Sequence, residues 1–381
     1  MTLFPAGTPL VAEFTRAARN IRSHPNPFVM AYHPVARLNP YQSLLYARAW
    51  EFGVAPVATI NWTDMMALPV VHTMGVRSIV HLHWTSGIVG SATDSADAHM
   101  RVSDFIGKLR ELKSGGVRLL WTVHNRLPHR CPFPDAEVSL RRQLAEIVDV
   151  IHIMSESTTQ DVRDLYRLPE HKLLRAPHPS YVGAYPMHFD RRFVRYDLGF
   201  DDGDFVVGMV GSVQPYKGID SLLATLSSPD SLPPHYKVVI AGPPGQDEES
   251  KELALRIRRH HKVRAIINRL DDQSLARLMT ALDVMVLPYR QSLNSGAALL
   301  ALSFGVPIVA PDIGSFKQLS RQGYCLTYDP EEAKGLHSAL TEAEGWVARV
   351  DRNSMRQDMA RLSGESVSRQ FFEDLRRLLR A

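Results

Sequence analysis

Four stretches of this 381-residue chain place chemically capable side chains at the ends of apolar runs. The first is Leu287 to Pro311, L-P-Y-R-Q-S-L-N-S-G-A-A-L-L-A-L-S-F-G-V-P-I-V-A-P. Val284 to Leu287 is a strand-type run stopped by Pro288, and Asn294 and Ser295 are good N-caps for the apolar run Ala297 to Leu302. Gly305 stands where a helix C-cap is expected, and Val306 to Ala310 reads as the next buried strand. A helix starting in Ser-Gly offers free N–H groups and a positive dipole end, the chemistry of phosphate binding. An ordinary strand–helix–strand connection carries the same kind of loop, so both readings stay open. The second stretch is G-S-V-Q-P-Y-K-G-I-D (211–220), where Gly211 lets the backbone approach a ligand and Lys217 precedes a helix. The third, W-T-V-H-N (121–125), ends a strand in His124 and Asn125, and the fourth, I-V-H-L-H-W (79–84), puts His81 and His83 on one strand face.

The elements that must position these residues alternate. In the first half, strands are expected over Phe28–His33, Val54–Ile60, Ile79–Trp84, Arg118–Val123 and Val148–Met154. Helices are expected over Ser43–Phe52, Met100–Leu112, Val138–Ile147 and Thr158–Tyr166. Such βα alternation means a parallel sheet, and open α/β sheets bind ligands at the carboxyl ends of their strands. The stretch A-P-H-P-S-Y-V-G-A-Y-P (176–186) interrupts the rhythm with its prolines and reads as a connection, in which His178 and Tyr181 are candidates to line a ligand cleft. A second half then alternates through strands Phe205–Val213, Lys237–Ala241, Val263–Leu270 and the organising unit to Tyr324–Tyr328. The tail from Ser366 to Leu379 is amphipathic, with Val367, Phe371, Phe372 and Leu375 on one stripe.

Composition excludes several classes. No run of about 20 apolar residues is present, so no membrane span is expected. The beginning M-T-L-F-P-A-G-T-P-L carries no secretory signal pattern, and Cys131 and Cys325 form no metal-type spacing, which points to the cytoplasm. Net charge is +4 and the sequence pI near 9.0, with arginines clustered at 141–142, 191–192, 256–259 and 376–377. Solvated helix faces account for most of these clusters, and a minority are candidates for an anionic membrane surface or a lipid-linked substrate. Helices 100–113 and 138–147 mix basic and apolar residues as an interfacial surface would, although ordinary packing gives the same pattern. No nucleic-acid-binding motif is present, so no nucleic-acid partner is expected.

Two doubly wound halves, with G-S-V-Q-P-Y-K-G-I-D opening the second and S-G-A-A-L-L-A-L-S-F-G-V-P-I-V-A-P near its end, resemble a GT-B-fold glycosyltransferase. The resemblance implies an α/β fold of two Rossmann-like doubly wound domains facing a cleft. The acceptor-binding domain would be 1–186 and the nucleotide-sugar-binding domain 187–362, with a helix at 363–381 returning to the first. It also implies a nucleotide-diphospho-sugar donor, a glycan or lipid-linked acceptor, and work at the inner face of a membrane. Lys217 would neutralise the diphosphate leaving group. Gly211, Ser212, Tyr289, Ser292, Asn294, Ser295, Gly296 and Ala297 would surround the donor, and Asn39, Tyr41, His83 and Asn125 the acceptor. Asp64 is the acidic residue nearest a strand end in the first half.

The sequence departs from the retaining branch, which carries a Glu, seven residues and another Glu across the 287–305 region. Those positions here are Ser292 and Leu300, and the basic residue common after the first-loop glycine is Ser212. The chain is similar instead to exopolysaccharide and lipid-linked-sugar transferases that lack the pair and tend to invert. An inverting transfer needs a base for the acceptor hydroxyl, and His124 is the candidate. Its alternatives are a hydrogen bond to the donor sugar or a core histidine bonded to backbone. No obligatory metal is expected, since Lys217 and helix N–H groups can neutralise the diphosphate. A nucleotide-sugar epimerase and a non-catalytic partner subunit on the same fold stay open.

Overall fold

The computed structural model describes residues 10–230 and 232–380. The stretch that carries the expectation of no secretory signal falls on residues 1–9, outside the described residues. The chain divides into two compact units, Met1–Pro179 with Gly364–Ala381 and Ser180–Ser363.

The first unit holds a parallel sheet of β1 (Phe28–His33), β2 (Val54–Ala58), β3 (Arg77–Leu82), β4 (Arg118–Thr122), β5 (Val150–Ile153) and β6 (Leu173–Arg175). Its order is β2-β1-β3-β4-β5-β6, so the strand order reverses direction at the β1/β3 pair. The second unit holds β7 (Phe205–Val210), β8 (Tyr236–Ala241), β9 (Val263–Ile266), β10 (Val284–Val286), β11 (Ile308–Pro311) and β12 (Cys325–Tyr328). Its order is β12-β11-β10-β7-β8-β9, and the reversal lies at β7/β10. These strands are short apolar runs because helices cover both faces; every residue of β7 and of β10 is buried. Crevices at such reversals, beyond the strands' carboxyl ends, are where doubly wound sheets hold ligands.

Several elements differ from the sequence reading. The helix expected at Ser43–Phe52 splits into Tyr41–Leu45 and a tight turn Ala49–Phe52, ended by Gly53 at φ +62°. A long run of 3₁₀-type turns at Trp62–Met74, with Pro69 inside it, carries no regular periodicity and escaped that reading. Asp64 belongs to its start, where its carboxylate accepts the Asn61 N–H at 3.2 Å. Helices at Leu10–Ile21 and Arg352–Arg361 were also missed.

Of the clustered arginines, Arg142, Arg192, Arg256, Arg258, Arg259 and Arg377 are exposed, as solvated helix faces are, and the others are structural pins. Arg141, 4% exposed, pairs with Glu137 inside the first unit. Arg191 and Arg195 hold Asp283, and Arg376 donates to the carbonyls of Asn26 and Phe52. Likewise, helices Ser95–Ser114 and Pro134–Ile147 turn most of their apolar residues into the core and pack against each other, so most of that stripe is covered, while Met100 stays 64% exposed. The last helix, Gly364–Leu378, belongs to the first unit and buries Val367, Phe371, Phe372 and Leu375 there. Full burial of Phe371 and Phe372 contributes roughly 1.5–3 kcal/mol each. Its N-terminal part is tied by Arg369 to Glu51 at 2.9 Å and by Glu365 to Arg48 at 2.6 Å.

Candidate active site

In the second unit the loops after β7, β8 and β10 converge through glycines. Gly211 has φ +136°, and a Cβ there would stand 2.7 Å from Lys217 Nζ. Gly242, at φ +140°, sits against the Gly211 carbonyl, where a Cβ would come within 2.1 Å. Gly218, at φ +68°, lies under the Pro288 carbonyl, where a Cβ would reach 1.8 Å. No larger residue fits this close backbone packing. It drives Lys217 inward: the side chain is 7% exposed, and its ammonium lies 5.9 Å from the Tyr289 ring. Among the described residues no carboxylate pairs with it, and burial pulls its pKa down to about 8. Buried cations are normally paired. A lysine held in this way is chemically suited to pair with an anion.

The loop before the helix Gly296–Ser303 has the complementary feature. Ser295 caps the helix by accepting the Ala298 N–H at 3.2 Å. Just upstream, Ser292 Oγ and Asn294 Nδ2 are buried without hydrogen-bond partners among the described residues. Orphaned polar atoms are costly in a folded interior, so they too mark a place for a ligand. Gly296 and Ala297 are half-buried in the first turn, and Ser212 is half-buried beside Gly211. Tyr289 is 7% exposed and its ring packs between Tyr216 and Phe316.

The first unit gathers histidines at the carboxyl ends of β3, β4 and β5. His124 Nε2 lies 3.0 Å from His83 Nδ1, and His83 Nε2 lies 2.6 Å from the Tyr46 hydroxyl. That hydroxyl lies 2.8 Å from His81 Nδ1, and His81 Nε2 lies 2.7 Å from Thr122 Oγ1. Thr122 Oγ1 is 3.0 Å from His152 Nδ1, whose Nε2 is 2.9 Å from the Ala176 carbonyl. His124 is half-buried, with Trp84 stacked on its ring at 4.2 Å and the Tyr41 ring edge-on at 5.3 Å. Burial, with neighbouring histidines adding to it, holds His81, His83 and His124 well below the usual histidine range. Burial lowers His152 and His178 to about 4, with His178 adding to the effect at His152.

The acceptor candidates are thus distributed unevenly. His83 lies 1% exposed inside the histidine chain, and Asn125 lines a small recess with His124 and Ser86. Asn39 is exposed and its Oδ1 accepts the Tyr41 N–H at 2.9 Å, a turn-stabilising role. Tyr41 is 1% exposed and supports His83, Trp84, His124 and His178 from within. A cavity of about 320 Å³ lies at the β1/β3 reversal, walled by His33, Trp62, Leu82, Trp84 and Phe105. Sequence reasoning missed His33 and the two tryptophans, because only the fold brings the ends of β1 and β3 and the aperiodic Trp62–Met74 run together. His33 Nδ1 donates to the Thr59 carbonyl at 3.0 Å, which leaves Nε2 as an acceptor. Among the described residues there is no group of three or more His, Cys, Asp or Glu placed to hold a metal ion.

Residues 204–343 match the family described as Glycosyl transferases group 1. The GDP-mannose:glycolipid 4-beta-D-mannosyltransferase of Xanthomonas campestris pv. campestris is 29% identical over 272 residues, 69% of this chain and 70% of that protein. The D-inositol 3-phosphate glycosyltransferase of Rhodococcus erythropolis is 26% identical over 268 residues, 66% of this chain and 56% of that one. Among solved structures, sucrose-phosphate synthase from Thermosynechococcus elongatus superposes with a TM-score of 0.70 at 14% identity, covering 93% of this chain and all (100%) of its own. Anabaena Alr3699/HepE in complex with UDP-glucose gives 0.65 at 14%, covering 92% and 99%. The sheets described above are those of the GT-B fold.

Proposed function

We propose a reaction for a chain that is, by fold and by its group 1 segment, a GT-B nucleotide-sugar glycosyltransferase: transfer of a sugar from a GDP- or UDP-sugar to a hydroxyl of a glycan or lipid-linked acceptor. The observation that carries the donor site is Lys217, a buried ammonium with no carboxylate partner among the described residues, held over Gly211 at the β7/β10 reversal. A diphosphate supplies the missing negative charge. Ser292, Asn294 and the N–H groups at Ser295–Ala297 add hydrogen bonds on the same loop set.

The second half of the reaction belongs to the first unit. As the acceptor oxygen bonds to the anomeric carbon, the bond from that carbon to the diphosphate oxygen breaks, and its electron pair leaves on the diphosphate. The hydroxyl proton passes to His124, neutral at physiological pH because burial lowers its pKa. Direct attack of this kind inverts the anomeric centre, in keeping with Ser292 and Leu300 in place of a carboxylate pair. The aromatic cavity walled by Trp62 and Trp84 suits the apolar face of an acceptor sugar. The glycolipid named for the Xanthomonas relative supports a lipid-linked acceptor and peripheral work at the cytoplasmic membrane face. Among the described residues no helix is long and apolar enough to cross a membrane.

The test is calorimetry with UDP, GDP, ADP and TDP on the wild type and Lys217→Ala. One nucleotide should bind the wild type and bind the variant at least tenfold more weakly, with the melting temperature unchanged or raised, because the variant removes a buried charge. Equal affinity in the variant, or no binding by any of the four, removes the donor-site assignment.

A further inference from the structure

The bonds joining His124 to the Ala176 carbonyl form one unbranched chain, and one end of it has a fixed polarity. A carbonyl only accepts, so His152 Nε2 carries a proton. In a neutral His152 the other nitrogen, Nδ1, then accepts from the Thr122 hydroxyl. Thr122 has spent its only hydrogen, so its oxygen accepts from His81 Nε2–H, and His81 Nδ1 accepts from the Tyr46 hydroxyl. Tyr46 in turn accepts from His83 Nε2–H, and His83 Nδ1 accepts from His124 Nε2–H. Every bond is satisfied by one proton, and each assignment forces the next. At the far end His124 Nδ1 keeps a lone pair. It is the only ring nitrogen of His81, His83, His124 and His152 with no hydrogen-bond partner among the described residues.

We propose that Tyr46, His81, His83, Thr122 and His152 are positioning residues that lock His124 in the Nε2–H tautomer and turn its Nδ1 lone pair toward the acceptor hydroxyl. This rests on the reading of His124 as the base. The lock needs neutral rings, and the setting supplies that. Tyr46, His81, His83, Thr122 and His152 are all 8% exposed or less. Phe371 lies against His81 and His152, and Phe372 against Tyr46, closing the chain from the side of the last helix. The other titratable groups near it are Tyr32 against Tyr46, Tyr41 against His83 and His124, His178 beside His124 and His152, His33 near His83, and Arg141 in the recess that His83, Thr122 and His124 line; among the described residues no carboxylate is bonded to the chain. Nor is the chain a proton exit. The Ala176 carbonyl at the inner end cannot hold a proton, and a charge on His83, His81 or His152 would sit on a ring buried more deeply than the half-buried His124, so the charge gained in the reaction is least costly at His124.

The test combines ¹⁵N NMR of histidine-labelled full-length protein with turnover of GDP-mannose and UDP-glucose. In the wild type His124 should show a protonated Nε2 and an unprotonated Nδ1. Thr122→Val keeps the shape, removes the hydroxyl and should leave His124 as a mixture of tautomers. Its kcat should fall at least tenfold on the donor the wild type consumes, with the donor KM unchanged. Thr122→Ser should restore the tautomer and most of the rate. Wild-type His124 protonated on Nδ1, or a wild-type tautomer persisting in Thr122→Val, overturns the lock. His124→Gln separates the two claims. If it turns over normally while the tautomer pattern in the other variants holds, the base assignment fails and the lock stands as structure alone.

Discussion

At the residue scale the most informative side chain is Lys217, because its position and its missing partner point the same way. Its pKa of about 8 makes donor binding pH-dependent. An anionic ligand favours the charged ammonium, so a nucleoside diphosphate should bind most tightly below pH 8 and progressively more weakly as the lysine deprotonates above it. Binding at pH 8.5 should therefore take up protons. Calorimetry in two buffers of different ionisation enthalpy reads that uptake, and a variant without the lysine should show none. Identical heats in the two buffers would mean that the ammonium does not meet the ligand. The residue types and strand-end places of Lys217 and His124 were legible in the sequence. Their burial was not, since it depends on Gly211 and Gly218 on one side and on Trp84 and Tyr41 on the other.

At the element scale the Ser295–Ser303 segment does two things with one side chain. The Ser295 hydroxyl accepts the Ala298 N–H, fixing the first turn and hence the direction of the remaining N–H groups. Ser295→Ala should lower stability by about 1 kcal/mol, the usual worth of an N-cap. It should also weaken nucleotide binding several-fold. Denaturant melts and the same calorimetric panel check both; a stability loss with unchanged affinity would make the cap purely structural. The elements that the sequence concealed are those without regular periodicity, such as Trp62–Met74 with Pro69 inside it. Trp62 from that segment meets Trp84 from the β3 end in the wall of one cavity. Three of the clustered arginines are another case, because Arg141, Arg191 and Arg376 find their partners in distant or inward-facing groups.

At the scale of the whole molecule, the store of buried neutral histidines sets its acid tolerance. Unfolded histidines take up protons near pH 6.5, whereas His81, His83, His124, His152 and His178 resist protonation until lower pH when folded. The unfolded chain binds more protons in that window, so stability is fully present above about pH 6.5 and is lost as pH falls. For His152, with a folded pKa of about 4, the loss amounts to roughly 3 kcal/mol by pH 4. Scanning calorimetry at pH 7.5, 6 and 5 should show a falling melting temperature. A level one would mean that these rings are charged or solvated in the folded protein.

The sequence by itself determined the α/β alternation, the doubly wound halves, the carboxyl-edge loops and the residue types that they carry. Those follow from local periodicity, capping and glycine placement, which a chain displays over a dozen residues. Only the tertiary structure decided which strands become neighbours. The β1/β3 and β7/β10 reversals bring His33 to Trp84 and Gly218 to the Pro288 carbonyl. The same long-range packing joined His81 and His83, from one stretch, to His152, from a strand far along the chain, in one hydrogen-bonded chain ending at His124. Side-chain alternation tells which face a residue takes, but not what the next strand places opposite it.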